Sequence, residues 1–247
     1  VQSARAGSAD KAPVAIVDHP DVRRMLWRAR ALTQASRALL YYTAGQVDRG
    51  TLGDAAAGAR AEVLVPLLKA WGTDIGIEVA SLNIQVHGGM GFIEETGAAQ
   101  LWRDARIAPI YEGTNGIQAA DLVTRKLGLD GGEALLGLLG EIARDCGDAP
   151  VLAALARECD ALARWMQGEA SLDDRLAGSV PFCTMMAVAV AGWQLQRQAR
   201  ALGDASDQGR DKAVAARFFA SRIASEALGL AASVREGAEA LYARELA

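Results

Sequence analysis

One carboxylate in this sequence stands where carbon-acid chemistry could be done. Glu112 lies in the run Pro109-Ile110-Tyr111-Glu112-Gly113-Thr114-Asn115, on a short loop just ahead of a helical stretch. Pro109, Ile110 and Tyr111 supply apolar walls, and Gly113 lets a ligand or another backbone come close. Thr114 can cap the helix that follows or donate to a phosphate at its N-terminus. A carboxylate on an interhelical loop is ordinarily a solvated charge or a capping group. Desolvation would instead make it a stronger base towards a carbon acid. The neighbouring helix N-terminus opposes that effect, so burial has to win for the chemistry to work. The second group is the glycine corner Gln85-Val86-His87-Gly88-Gly89-Met90-Gly91-Phe92. Gly88, Gly89 and Gly91 also suit an ordinary helix C-cap. No strand precedes them, which excludes a Rossmann dinucleotide loop. Gln85, one turn before the corner, offers both a donor and an acceptor. A lone acid beside a glycine corner suggests proton abstraction next to a bound cofactor. His87 receives no role, and Arg103-Asp104-Ala105-Arg106 reads as a helix end with a local ion pair.

The elements that must position these groups are helical. Residues 1–17 read as a mobile lead-in, rich in small residues. Asp18 is the expected cap of a first helix, with Pro20 in its first turn and Gly50 and Gly53 ending it near Arg49. Apolar residues recur at helical spacing from about Ala55 to Val86, where Pro66 is expected to kink the helix or divide it. A short helix is expected over about 97–105 and another over about 114–126, stopped by Gly128. Gly128 to Gly132 reads as a linker, followed by helical stretches near 133–146, 150–167, 173–202 and 208–245. No strand-like alternation runs for more than a few residues. The expectation is an all-α chain: an up-and-down helical bundle over 18–128, then a second helical region over 129–247.

Composition removes several classes of function. No stretch of 18 apolar residues is available to span a bilayer. Residues 1–128 carry 14 Lys and Arg against 13 Asp and Glu, and residues 129–247 carry 12 against 17. Neither part has the basic excess that phosphate-backbone binding needs. The three cysteines, Cys146, Cys159 and Cys183, fit no zinc spacing and read as buried thiols in a reducing cytoplasm.

Four motifs occur in order: His19-Pro20-Asp21-Val22, Gln85 to Phe92, Arg103-Asp104-Ala105-Arg106-Ile107 and Tyr111-Glu112-Gly113-Thr114-Asn115-Gly116-Ile117-Gln118. Over about residues 15–127 they resemble the C-terminal helical domain of the acyl-CoA dehydrogenase family. The tail resembles the extra helical region of a bacterial subgroup that includes methylmercaptopropionyl-CoA dehydrogenases. The resemblance implies FAD, an acyl-CoA substrate and α,β-dehydrogenation, with Glu112 taking the α-proton. It implies that the backbone N–H of Glu112 helps polarise the thioester carbonyl. It assigns Gln85, Gly88 and Gly89 to FAD, usually that of a neighbouring subunit, and Thr114 to the FAD of its own subunit. Gly113 and, more weakly, Arg125 fall to the substrate side. One departure concerns a glutamine that many members carry four places after the glutamate. Here that place is Gly116, with Gln118 two further on.

The family also begins with a helical domain and a β-domain that these residues do not contain. The resemblance therefore implies the C-terminal portion of a longer cytoplasmic homo-oligomer, inactive as a fragment. Electron-transferring flavoprotein is the implied acceptor. Two alternatives remain at this point: a non-catalytic helical oligomerisation or interaction module, and a DNA-binding relative of the family. The −5 balance of the tail opposes the second alternative.

Overall fold

A computed structural model describes residues 4, 5 and 7–245, and among these there is no strand. The mobile lead-in expected over residues 1–17 lies partly outside the described residues, and Ile16–Asp18 is a 3-10 turn. Two long helices follow, α1 (Pro20–Thr51) and α2 (Ala55–His87). They form a hairpin whose backbones nearly touch. A Cβ on Gly50 would lie 2.8 Å from Gly58 Cα. Gly50 is thus a close-approach residue in the last turn of α1, which ends at Thr51 near the expected place, and the chain turns at Gly53 with φ 100°. The cap position of α1 is His19, not Asp18, and no side chain caps it. The N-terminus of α2 is capped by Asp54, which accepts from Ala57 N at 3.0 Å. Pro66 does not divide α2, which runs through it to His87.

A short turn α3 (Gly89–Phe92), then α4 (Ala98–Ala105) and α5 (Asn115–Asp121), complete the first part. Helix α5 continues through a π-helical turn over Leu122–Lys126, closed by Leu127 N donating to Leu122 O at 2.8 Å. Arg103 pairs in bidentate fashion with Glu94 (2.9 and 2.7 Å) rather than with a residue of its own motif.

The tail contains α6 (Glu133–Asp145), α7 (Pro150–Gly168), α8 (Leu172–Ala177), α9 (Ser179–Leu202), α10 (Asp207–Phe218), α11 (Ala224–Leu228) and α12 (Ala231–Arg235). The stretches expected as single helices over 173–202 and 208–245 are therefore divided. Gly178 separates α8 from α9, and a Cβ there would lie 2.8 Å from Val234 O. A π turn at Phe219–Ile223 joins α10 to α11, and Gly229 with Leu230 precedes α12. Ser171 and Asp174 form a reciprocal capping box at the start of α8.

Helix α9 explains how the two parts are held. Every residue from Met185 to Leu195 is buried, so this stretch of the helix is enclosed on all sides and lies inside the protein. One continuous core joins Leu32, Leu39 and Leu67 of the hairpin to Leu138, Leu155 and Val190 of the tail. Arg60 of α2 adds a bidentate pair to Glu141 of α6 (2.9 and 2.6 Å). This packing supports a helical layer laid on the hairpin rather than a free docking arm. Cys146, Cys159 and Cys183 are buried and free, and burial pushes the Cys146 thiol up to about 12. No helix among the described residues is long and apolar enough to cross a membrane.

Candidate functional site

The loop bearing Glu112 has an unusual backbone. Glu112 has φ 57° and Gly113 φ 85°, so two successive residues are left-handed. For a side chain such as glutamate this conformation costs roughly 1–2 kcal/mol. Asn115 holds the loop in place. Its N–H donates to Pro109 O at 3.1 Å, closing the loop on itself. Its side-chain Nδ2 donates to Ala70 O (2.9 Å), Thr73 Oγ1 (3.0 Å) and Asp74 Oδ1 (2.8 Å), all on α2. Burial pushes the Asp74 carboxyl above its ordinary range, against the opposing pull of the Asn115 hydrogen bond and of Arg106. Pro109 is buried and anchors the near side. Replacing Asn115 with Ala removes an amide whose two N–H groups are shared among three acceptors on α2, and the expected loss is about 1–3 kcal/mol. Urea unfolding measures it, and an unchanged midpoint would show that these bonds do not hold the loop.

The Glu112 side chain sits at the mouth of a small cavity of about 140 Å³, lined also by Lys69, Thr73, Tyr111, Asn115 and Gln118. Lys69 Nζ lies 3.6 Å from Glu112 Oε2. The carboxylate is 67% exposed, so these residues alone do not provide the dry cleft that the sequence suggested. Ile110 and Tyr111, two of the expected walls, are themselves exposed, so neither closes the acid off from water. Ile107 and Ile117, close by along the chain, are exposed as well.

Backbone donors around the acid are uncommitted. The N–H groups of Glu112, Gly113 and Thr114 have no acceptor among the described residues. Thr114 occupies the cap position of α5, yet its hydroxyl caps nothing. Gln118 reaches back into the loop, with Nε2 3.9 Å from where a Gly113 Cβ would be. Sequence reasoning assigned no contact to Gln118, Lys69 or Asn115. The available signal was the polar cluster Lys69, Thr73 and Asp74 at one-turn spacing in α2.

The glycine corner is a separate place. Asn115 meets α2 at Thr73, and the span from Thr73 to Gln85 is about 18 Å along a helix axis. Gln85, Gly88 and Gly89 therefore cannot touch the small group that Glu112 touches. All three are exposed, Gly88 has φ 61°, and a Cβ on Gly89 would meet nothing within 4 Å. Arg125 is exposed and pairs locally with Asp121 at 3.0 Å, one turn earlier.

Comparison with known proteins places this architecture. Residues 3–127 match the family model described as acyl-CoA dehydrogenase, C-terminal domain, and residues 138–245 match the one described as acetyl-CoA dehydrogenase C-terminal like. The chain is 44% identical over 241 residues to a 3-methylmercaptopropionyl-CoA dehydrogenase of Ruegeria pomeroyi, covering 89% of the chain and 39% of that relative. It is 31% identical over 262 residues to a broad-specificity linear acyl-CoA dehydrogenase of Mycobacterium tuberculosis, covering 92% of the chain and 42% of the relative. Its fold matches that of a Bacillus anthracis acyl-CoA dehydrogenase, solved as its FAD complex, with a TM-score of 0.68 at 19% identity. That match covers 95% of the chain and 45% of the solved protein. The chain thus spans about two fifths of the length of the curated relatives it matches. Since a family model accounts for half of its residues and the likeness to the first relative runs through nearly all of it, the chain belongs to the acyl-CoA dehydrogenase family.

Proposed function

We propose that these residues form the base-bearing part of an FAD-dependent enzyme that dehydrogenates an acyl-CoA thioester between its α and β carbons. The observation that carries this reading is the left-handed backbone at Glu112, held by Asn115. Such strain persists only where the surroundings enforce it, and it gathers at working sites. Glu112 takes the α-proton onto a carboxylate oxygen. The Glu112 N–H, which has no acceptor among the described residues, donates to the thioester carbonyl and stabilises enolate-like charge as the α C–H bond breaks.

The donor set fits a dinucleotide. Thr114 keeps its hydroxyl uncommitted, Gln85 makes no side-chain hydrogen bond among the described residues, and the open face of Gly89 admits close backbone approach. When bound, FAD supplies the two-electron oxidant that accepts the β-hydrogen as hydride. The separation along α2 suits two flavins, Thr114 serving that of its own subunit and Gln85, Gly88 and Gly89 that of a neighbour. A homo-oligomer follows from that arrangement. Gly113 leaves room for the substrate beside the acid, and Arg125 is a more distant contact for it. The exposed Ile110 and Tyr111 are where further protein covers the site and expels water. Electron-transferring flavoprotein as acceptor and a cytoplasmic location complete the reading.

The test is anaerobic addition of acyl-CoA thioesters to the complete enzyme. Bleaching of the flavin absorbance is expected, slowed by deuterium at the α carbon. A complete enzyme that binds no flavin, or whose flavin stays oxidised with straight-chain, branched and sulfur-containing thioesters alike, would overturn it.

A further inference from the structure

A pocket of about 650 Å³ opens between α1 and α10, far in sequence from the Glu112 loop. Arg30, Gln34 and Arg37 reach it from α1, Gln198 from α9, and Gln208 and Lys212 from α10. Its volume is that of a small-molecule site. Its lining carries a cationic excess. Three cations face one carboxylate, Asp211, in a chain of net charge −4.

That carboxylate is already used, since Asp211 Oδ2 lies 2.5 Å from Arg30 Nη2. Arg37 has no ion-pair partner among the described residues. Lys212 Nζ donates only to the neutral Gln198 Oε1, at 3.1 Å. Lys212 is pushed below its ordinary value by burial first and then by Arg37 and Arg30, so the three cations sense one another. Crowded like charges carry a cost that a bound anion would relieve. Gln34 is uncommitted as well. Its Oε1 is buried without a donor, and its amide makes no hydrogen bond that rotation would break.

We propose that this pocket binds a phosphate monoester with a polar body, with Arg37 and Lys212 meeting the phosphate. Two unneutralised cations match the charge of close to −2 that a phosphate monoester carries near pH 7. The guanidinium fork of Arg37 suits paired phosphate oxygens, and Lys212 adds a point charge. A phosphate alone would leave most of the cavity empty. Tyr41 and the amides of Gln34 and Gln208 suit hydroxyl or N–H groups on the remainder. The walls come from both the hairpin and the tail, so occupancy would stabilise their packing. None of this depends on the dehydrogenase reading.

Calorimetric titration of the full chain at fixed ionic strength is the test, with ribose 5-phosphate, ribose and inorganic phosphate as probes. Ribose 5-phosphate is expected to bind saturably, one per chain and more tightly than inorganic phosphate, and ribose not at all. The double variant Arg37→Gln with Lys212→Met should weaken binding at least tenfold. Arg37→Lys, which keeps the charge and loses the fork, should bind more weakly than the parent and more tightly than the double variant, and Arg217→Gln, outside the pocket, should bind as the parent does. Both substitutions of the double variant remove charge without emptying the core, and circular dichroism checks that the helices persist. Absence of saturable binding, or binding unchanged in the double variant, would overturn the site. Ribose 5-phosphate binding no tighter than inorganic phosphate would overturn the polar body.

Discussion

Glu112→Gln in the complete enzyme is expected to slow substrate-dependent flavin bleaching by about 10²–10⁴-fold while the flavin stays bound. The substitution keeps the size of the side chain and removes its ability to take a proton. The backbone N–H of residue 112 is retained, so polarisation of the carbonyl survives and the loss falls on proton transfer. Flavin retention separates this outcome from a folding failure. The loop should also keep its shape, because its anchors are the Asn115 side chain and the buried Pro109 rather than the carboxylate. The one ion pair lost, to Lys69 at 3.6 Å, is solvent-exposed and contributes little. Bleaching at an undiminished rate would remove Glu112 from the role of base and with it the mechanism above.

Phe219→Ala is expected to destabilise the chain by about 3–5 kcal/mol, the usual cost of emptying an aromatic site in a core. Phe219 is fully buried at the π turn that follows α10. Its ring meets that of Trp71 on α2 edge to face, with centroids 6.2 Å apart and planes at 82°. A Cβ on Gly192 of α9 would come within 2.9 Å of Phe219 Cε1, so the ring fills the space that this glycine leaves. Three helices from both parts of the chain therefore lose contact together. For a chain of this size the midpoint of thermal unfolding should fall by about 10 °C. A single transition is expected to move as a whole, because one core spans both parts. Two transitions, of which only one shifts, would show that the hairpin part and the tail fold as separate units.

The sequence was most legible where apolar periodicity was long. The extents of α2, α4, α6 and α7 lie within a residue or two of those read along the chain. It was least legible where the backbone departs from regular helix. The π turns at Leu122–Lys126 and Phe219–Ile223 carry ordinary helix-forming residues, and the break at Gly178 reflects the nearness of Val234 O, a residue distant in sequence. Gly50 reads as a helix stop along the chain, and only the fold shows that it is also the close contact between two helices. In each case the deciding neighbour is close in space but not in sequence.

What the sequence determined by itself is the helical class and the run of residues to which the proposed chemistry is assigned. Helical stripes and the Tyr111-Glu112-Gly113-Thr114-Asn115 order are local properties, set by residue types and spacing. Only the tertiary structure decided that Asn115 ties the acid's loop to α2, that the glycine corner is a separate site, and that α9 joins the tail to the hairpin in one core. It also decided that the acid stands open to water among these residues, and that Arg37 and Lys212 share a pocket. Burial and charge proximity depend on which surfaces meet, and periodicity along a chain specifies a helix's apolar face without specifying its partner.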